Sequence, residues 1–291
     1  MIRKFGARRL LGQGARGIRS LRATWSDRGG NDLASRLALE FGASVPVMAA
    51  FIDRFAPDRV ARGRFRDSAD TVLFVHIPKT AGVSVGKALQ KAFDRFHGVE
   101  WNNVPTAFRK ATRQAVYDQS KGNVRQVIMG HFGWPELQVW RQHDLQVKAA
   151  TILRDPVDRV ISNFNYNSSD AHPAREDFVK RFPTIESFVR STGYDVQLTQ
   201  AIGFVASFDD VLAKLTAHYS FLGVTERLGP SLALLSRTHG LPPITEYRAN
   251  VGTKPADDLD PAVRTLILDR NHNDVKIHAL LLRLYDLAKG N

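Results

Sequence analysis

The chain has 291 residues, 43% of them hydrophobic and 24% charged, with no cysteine and a formal net charge of +12. That length supports one sizeable core with a small appendage, and the composition is that of an ordinary globular protein. The absence of cysteine excludes disulfides, thiolate metal sites and cysteine nucleophiles, and it fits a reducing, cytoplasmic setting.

The positive charge is concentrated at the start. Arg3, Lys4, Arg8, Arg9, Arg16, Arg19 and Arg22 all precede the first acid, Asp27. Residues 1–30 therefore read as a basic, flexible tail, able to touch an acidic membrane surface or a polyanionic acceptor. The same Arg-rich, acid-free character resembles an organelle transit peptide. Aromatic residues do not interleave with the basic ones, which argues against nucleic acid as a partner. Residues 31–65 carry an amphipathic helical pattern broken by Pro46 and Pro57, and residues 31–70 read as a helical extension. The longest apolar run, around Val45 to Ile52, falls short of the ~20 residues a membrane helix needs, so no transmembrane anchor is expected.

From Thr71 to Gly86 the chain reads TVLFVHIPKTAGVSVG. The β-branched run Val72–Val75 predicts a buried strand, and a helix-compatible segment follows from Ser84 to Phe96. A strand, a tight loop and a helix start direct unpaired backbone N–H groups and the positive helix end toward an anion. Lys79 adds a point charge within the loop, and Gly82 permits close approach of the backbone. These features predict a phosphate-type pocket.

Helix patterns continue at Thr106–Gln119, Phe208–Ala217 and Pro230–Thr238, with strands at Val124–Met129, Lys148–Leu153 and Ser220–Val224. The strand within VKAATILRDPVDRVISNFNY ends at Arg154-Asp155-Pro156. Pro156 suits the first turn of a helix running to Tyr166, and Asp155 suits its N-cap. Arg154 then lies at a strand end, with Ser162 two turns into the helix, and both residue types bind phosphate well. Leu241–Pro255 reads as a loop. Asp260-Pro261 opens a helix through Asp269, and another runs from Asn273 to Ala288. Strands alternating with helices predict an α/β domain over residues 71–291, a central parallel sheet flanked by helices in three layers. Two strand-end phosphate sites in one such domain suggest a nucleotide phosphorylated at both ends.

At these residues the chain resembles sulfotransferases that use 3′-phosphoadenosine 5′-phosphosulfate (PAPS), above all the carbohydrate branch with the heparan and dermatan 2-O-sulfotransferases. His76-Ile77-Pro78-Lys79-Thr80-Ala81-Gly82 with Ser84 matches the family's 5′-phosphosulfate loop, and Arg154-Asp155-Pro156 with Arg159 and Ser162 its 3′-phosphate motif. Weaker echoes occur at Gly130-His131, Thr199, Gly223-Val224-Thr225-Glu226, Asn250 to Pro255 and Asn273-Asp274. Val83 stands where Thr is common, and Gln200 follows Thr199 where Arg is usual.

The resemblance implies a P-loop-like fold and sulfuryl transfer from PAPS to a hydroxyl; it favours a carbohydrate hydroxyl, the basic surface would tolerate an anionic glycan, and a lipid-linked sugar or another small hydroxyl compound is the alternative acceptor. It implies that Pro78, Lys79, Thr80, Ala81, Gly82, Val83, Ser84, Arg154, Ser162, Thr199 and Lys254 contact the nucleotide, with no metal. Lys79 would stabilise the leaving phosphate and His131 would act as general base; should His131 only cap its strand, Glu136 or His76 takes that role. The paired histidine common in that branch is missing, because Met129 stands there. Trp134 and Trp140 lie just beyond and read either as sugar-stacking or as core residues. The alternative is a kinase or NTPase that uses a nucleoside triphosphate. GVSVGK has three residues between its glycines instead of four, and Ala88 lacks the hydroxyl that would hold Mg²⁺.

Overall fold

The structure is a computed structural model, and it describes residues 28–61, 71–122, 124–141, 147–244 and 259–288. The basic tail up to Asp27, most of the loop Leu241–Pro255 and Lys254 lie outside the described residues.

Five parallel strands form the central sheet: β1 (Thr71–Val75), β2 (Arg95–Val99), β3 (Gln126–Gly130), β4 (Val147–Leu153) and β5 (Tyr219–Val224), in the order β2-β3-β1-β4-β5. Helices flank the sheet and complete a three-layer α/β architecture. Every residue of β1, β3 and β5 is buried, as strands covered on both faces must be.

One element corrects the sequence reading. The helix predicted from Ser84 to Phe96 is α4 (Gly82–Ala92), and the chain then turns into β2. RFHGV has little hydrophobic alternation because β2 is an edge strand, with Arg95 and Gly98 exposed and only Val99 buried. Pairing with β3, from Arg95↔Gln126 to Val99↔Gly130, overrides the local helical pattern. Gly130 permits this approach: a Cβ there would lie 2.5 Å from that of Val99.

The opposite edge, β5, is covered. Helices α1 (Arg28–Phe41), α2 (Val45–Phe55) and α3 (Pro57–Ala61) break where Pro46 and Pro57 open new helices. Leu37, Met48, Phe51, Ile52 and Phe55 join the core formed by the sheet. Among the described residues no single helix is long and apolar enough to cross a membrane; α1 and α2 are bent by 110° at their junction.

Helix α5 (Val104–Lys121) precedes β3, and α6 (Trp134–Arg141) follows it. After β4 come α7 (Pro156–Asn167), α8 (Arg175–Arg181), α9 (Ile185–Ser191), α10 (Val196–Ile202) and α11 (Phe208–His218). After β5 come α12 (Leu228–His239), α13 (Pro261–Arg270) and α14 (His272–Leu287). A second, smaller core holds Val157, Val160 and Ile161 of α7 against Phe188 and Val189 of α9 and Val263 and Ile267 of α13. It anchors the helix that follows Arg154.

Candidate active site at the strand ends

Parallel strands place all their C-terminal ends at one edge, where ligands of open α/β sheets gather. The segment leaving β1 turns through Pro78 and Lys79 into α4. Lys79 (φ 73°) and Ala81 (φ 60°) both adopt left-handed backbone, which costs a non-glycine residue about 1–2 kcal/mol each. Such turns form concavities in which successive N–H groups bind anions. Thr80 is buried and its hydroxyl donates to the Ile77 carbonyl at 2.9 Å, which holds the turn closed. Ala81, at the N-cap of α4, has no polar side chain to offer the helix's first N–H groups. Ser84 is buried in the first turn, whereas Val83 is 57% exposed.

Lys79 and Arg154 meet. Arg154 leaves β4, the neighbour of β1, and its Nη1 donates to the Lys79 carbonyl at 3.1 Å. Burial, followed by the Arg154 charge, holds the Lys79 amine below its ordinary pKa. Its ammonium lies 4.2 Å from the ring centroid of Tyr166 on α7, a cation–π contact. Asp155 caps α7 by accepting from the Asp158 N–H at 3.0 Å, and Pro156 occupies the first turn. Ser162 and Tyr166 follow on one face of α7 at i,i+4 spacing.

His131 follows β3. Because Val75 pairs with Gly130, the next residues of β1 and β3 emerge level, and the His76 N–H donates to the Gly130 carbonyl at 2.9 Å. The two imidazoles lie 4.3 Å apart, inclined by 32°. The sequence reading expected no histidine pair, because Met129 stands two positions before His131; the structure forms one from the ends of two strands. Burial first, then the fields of His131 and Lys79, bring the His76 pKa down to about 3, so His76 is neutral near pH 7. Burial also lowers His131, partly offset by a hydrogen bond to the His76 backbone. His76 Nε2 and His131 Nδ1 are buried without a hydrogen-bond partner.

Other residues have structural partners. Glu136 Oε2 accepts from the Gly133 N–H at 2.9 Å, so this carboxylate is engaged at the start of α6. Trp140 is buried and its Nε1 donates to Thr112 Oγ1, which makes it a core residue. Trp134 packs partly buried against His218, with ring centroids 5.0 Å apart. Thr199 is exposed on α10 and donates to the Tyr194 carbonyl at 3.0 Å. Gln200 donates to the carbonyls of His76 (3.1 Å) and Phe132 (3.2 Å) and ties the ends of β1 and β3 together.

Sequence reasoning did not single out Gln197 or Tyr166. It noted Glu226 and Asp274 without a role, yet each grips backbone near the site: Glu226 accepts from the Asp155 N–H, and Asp274 from those of Gln197 and Leu198. Among the described residues no three His, Asp or Glu side chains form a group able to hold a metal ion.

No family model matches the chain, and no curated protein matches it. The fold and the strand-edge cations define an α/β protein with a candidate anion site.

Proposed function

We propose that the chain is a PAPS-dependent sulfotransferase acting on a hydroxyl of a carbohydrate, neutral or anionic. The observation that carries this reading is the contact between Arg154 and the Lys79 backbone. It joins the two motifs, one resembling a 5′-phosphosulfate loop and the other a 3′-phosphate site, at the ends of adjacent strands. Two cations in one site, without a carboxylate paired to Lys79 among the described residues, suit a dianionic or more highly charged ligand.

In this reading the loop N–H groups and the start of α4 hold the 5′-phosphate, and Arg154 with Ser162 holds the 3′-phosphate. The acceptor oxygen attacks sulfur while the bond from sulfur to the phosphate oxygen breaks. The departing oxygen takes the electron pair, and Lys79 stabilises the charge growing there. The acceptor proton passes to His131. His76, neutral beside it, leaves the positive charge of the site to Lys79 and Arg154.

Thermal-shift titration with PAPS, with its desulfated product PAP, and with ATP plus Mg²⁺ tests the reading, followed by turnover of labelled PAPS against glycan, lipid and phenol pools. Stabilisation by PAPS and PAP together with transfer to one pool is the expected result. Stabilisation by ATP alone would overturn it in favour of nucleoside triphosphate chemistry.

A further inference from the structure

Arg154 stands one residue beyond β4, where the sheet no longer pairs its backbone, yet both its backbone groups are satisfied by one side chain. Gln197 Oε1 accepts from the Arg154 N–H at 3.0 Å, and Gln197 Nε2 donates to the Arg154 carbonyl at 2.9 Å. The amide thus imitates a neighbouring strand for a single residue. Its orientation is dictated, because the carbonyl end must face the N–H and the amino end the C=O.

Gln197 is itself held. It is fully buried at the start of α10, where Asp274 accepts from the N–H groups of Gln197 and Leu198, each at 2.9 Å. Asp195, in left-handed conformation (φ 43°), accepts in turn from the Asn273 and Asp274 N–H groups at 2.7 and 3.1 Å. On the other side, the Asp155 N–H donates to Glu226 Oε1, whose second oxygen lies 2.9 Å from His278 Nε2. Residues 154 and 155 are therefore pinned from α10 and from the segment after β5, and both anchors depend on α14.

We propose that Gln197 is a positioning residue that sets the Arg154 guanidinium for recognition of a phosphate at the 3′ position of the nucleotide. The proposal rests on the sulfotransferase reading. A guanidinium recognises phosphate through directed, paired N–H donors, so a small rotation of its backbone removes the match while leaving the charge in place. The sequence signal was slight, because a glutamine inside a short helix has no local mark; only the tertiary contact gives it meaning.

The experiment compares calorimetric affinities for PAP and for AMP, which lacks the 3′-phosphate, in wild type, Gln197→Leu, Arg154→Ala and the double variant. Gln197→Leu should weaken PAP by about tenfold or more while leaving AMP within a factor of about two, and should add little once Arg154 is alanine. Gln197→Glu, which keeps the acceptor but sets a carboxylate against the Arg154 carbonyl, carries the same comparison if the Leu variant does not fold. Equal weakening of PAP and AMP would overturn the proposal in favour of a general structural role, as would unchanged PAP affinity. A wild type that binds PAP no better than AMP is a different failure: it overturns the sulfotransferase reading itself.

Discussion

The ring of His76 occupies the space beside the Gly82 Cα: a Cβ built at Gly82 would lie 1.8 Å from His76 Nε2. Glycine at the start of α4 is thus required by a side chain six residues earlier, which packs back onto the helix end. Loop, helix start and histidine pair form one steric unit.

Gly82→Ala should therefore destabilise the fold by about 1–3 kcal/mol, the usual cost of forcing a methyl group into filled space. Adding His76→Ala should recover much of that loss, because the obstructing ring is gone. Denaturant unfolding of both single variants and the double variant measures the coupling. Additive losses would mean that the two residues do not share the space.

If the proposed sulfuryl transfer uses His131 as its base, His131→Ala should lose about a hundredfold or more in turnover, the scale of general-base catalysis, with PAP affinity near wild type. The competing carboxylate, Glu136, is occupied by the Gly133 N–H, and burial has taken His76 far below the basicity the role needs. Single-turnover assays at saturating PAPS are the check. Turnover close to wild type would eliminate His131 as the base.

Acid should weaken the protein through His76. In the folded chain its pKa is about 3, against an ordinary 6.5, so the unfolded chain binds more protons at every pH between those values. The contribution of neutral His76 is fully present above pH 6.5 and is lost as pH falls toward 3. Melting temperatures of wild type and His76→Asn, measured from about pH 7 down to about pH 4, should show wild type losing more. Burial raises the Asp274 pKa to about 7, which acts in the opposite sense but equally in both proteins. Parallel curves would show that His76 is not buried as described.

On the proposed sulfotransferase reading, Lys79→Ala should reduce turnover much more than it weakens PAP, because the charge Lys79 would meet grows only as the sulfur–oxygen bond breaks. A loss of about a hundredfold in turnover, with PAP affinity down less than about tenfold, is expected. Equal losses would reduce Lys79 to a binding residue. Chemical-quench kinetics alongside calorimetry separate the two.

Where local chemistry was decisive, the sequence alone determined the outcome. The apolar runs of β1, β3, β4 and β5 declare strands, those of β1, β3 and β5 buried throughout, and Asp155-Pro156 declares the start of α7 through a cap and a restricted φ. The tight turn from His76 to Gly82 and the place of Arg154 just past a strand were legible for the same reason, since Pro, Gly and an apolar run fix backbone geometry locally. Tertiary structure alone decided the rest. β2 exists because β3 supplies its hydrogen bonds, against a helical local pattern. His76 and His131 are neighbours because β1 and β3 pair in a register that brings Val75 level with Gly130. Gln197 grips Arg154 because Asp274, from the last helix, holds the start of α10 in place. Propensity and capping act over a few residues and can be read along the chain, whereas register and side-chain grips join segments that meet only after the sheet has formed.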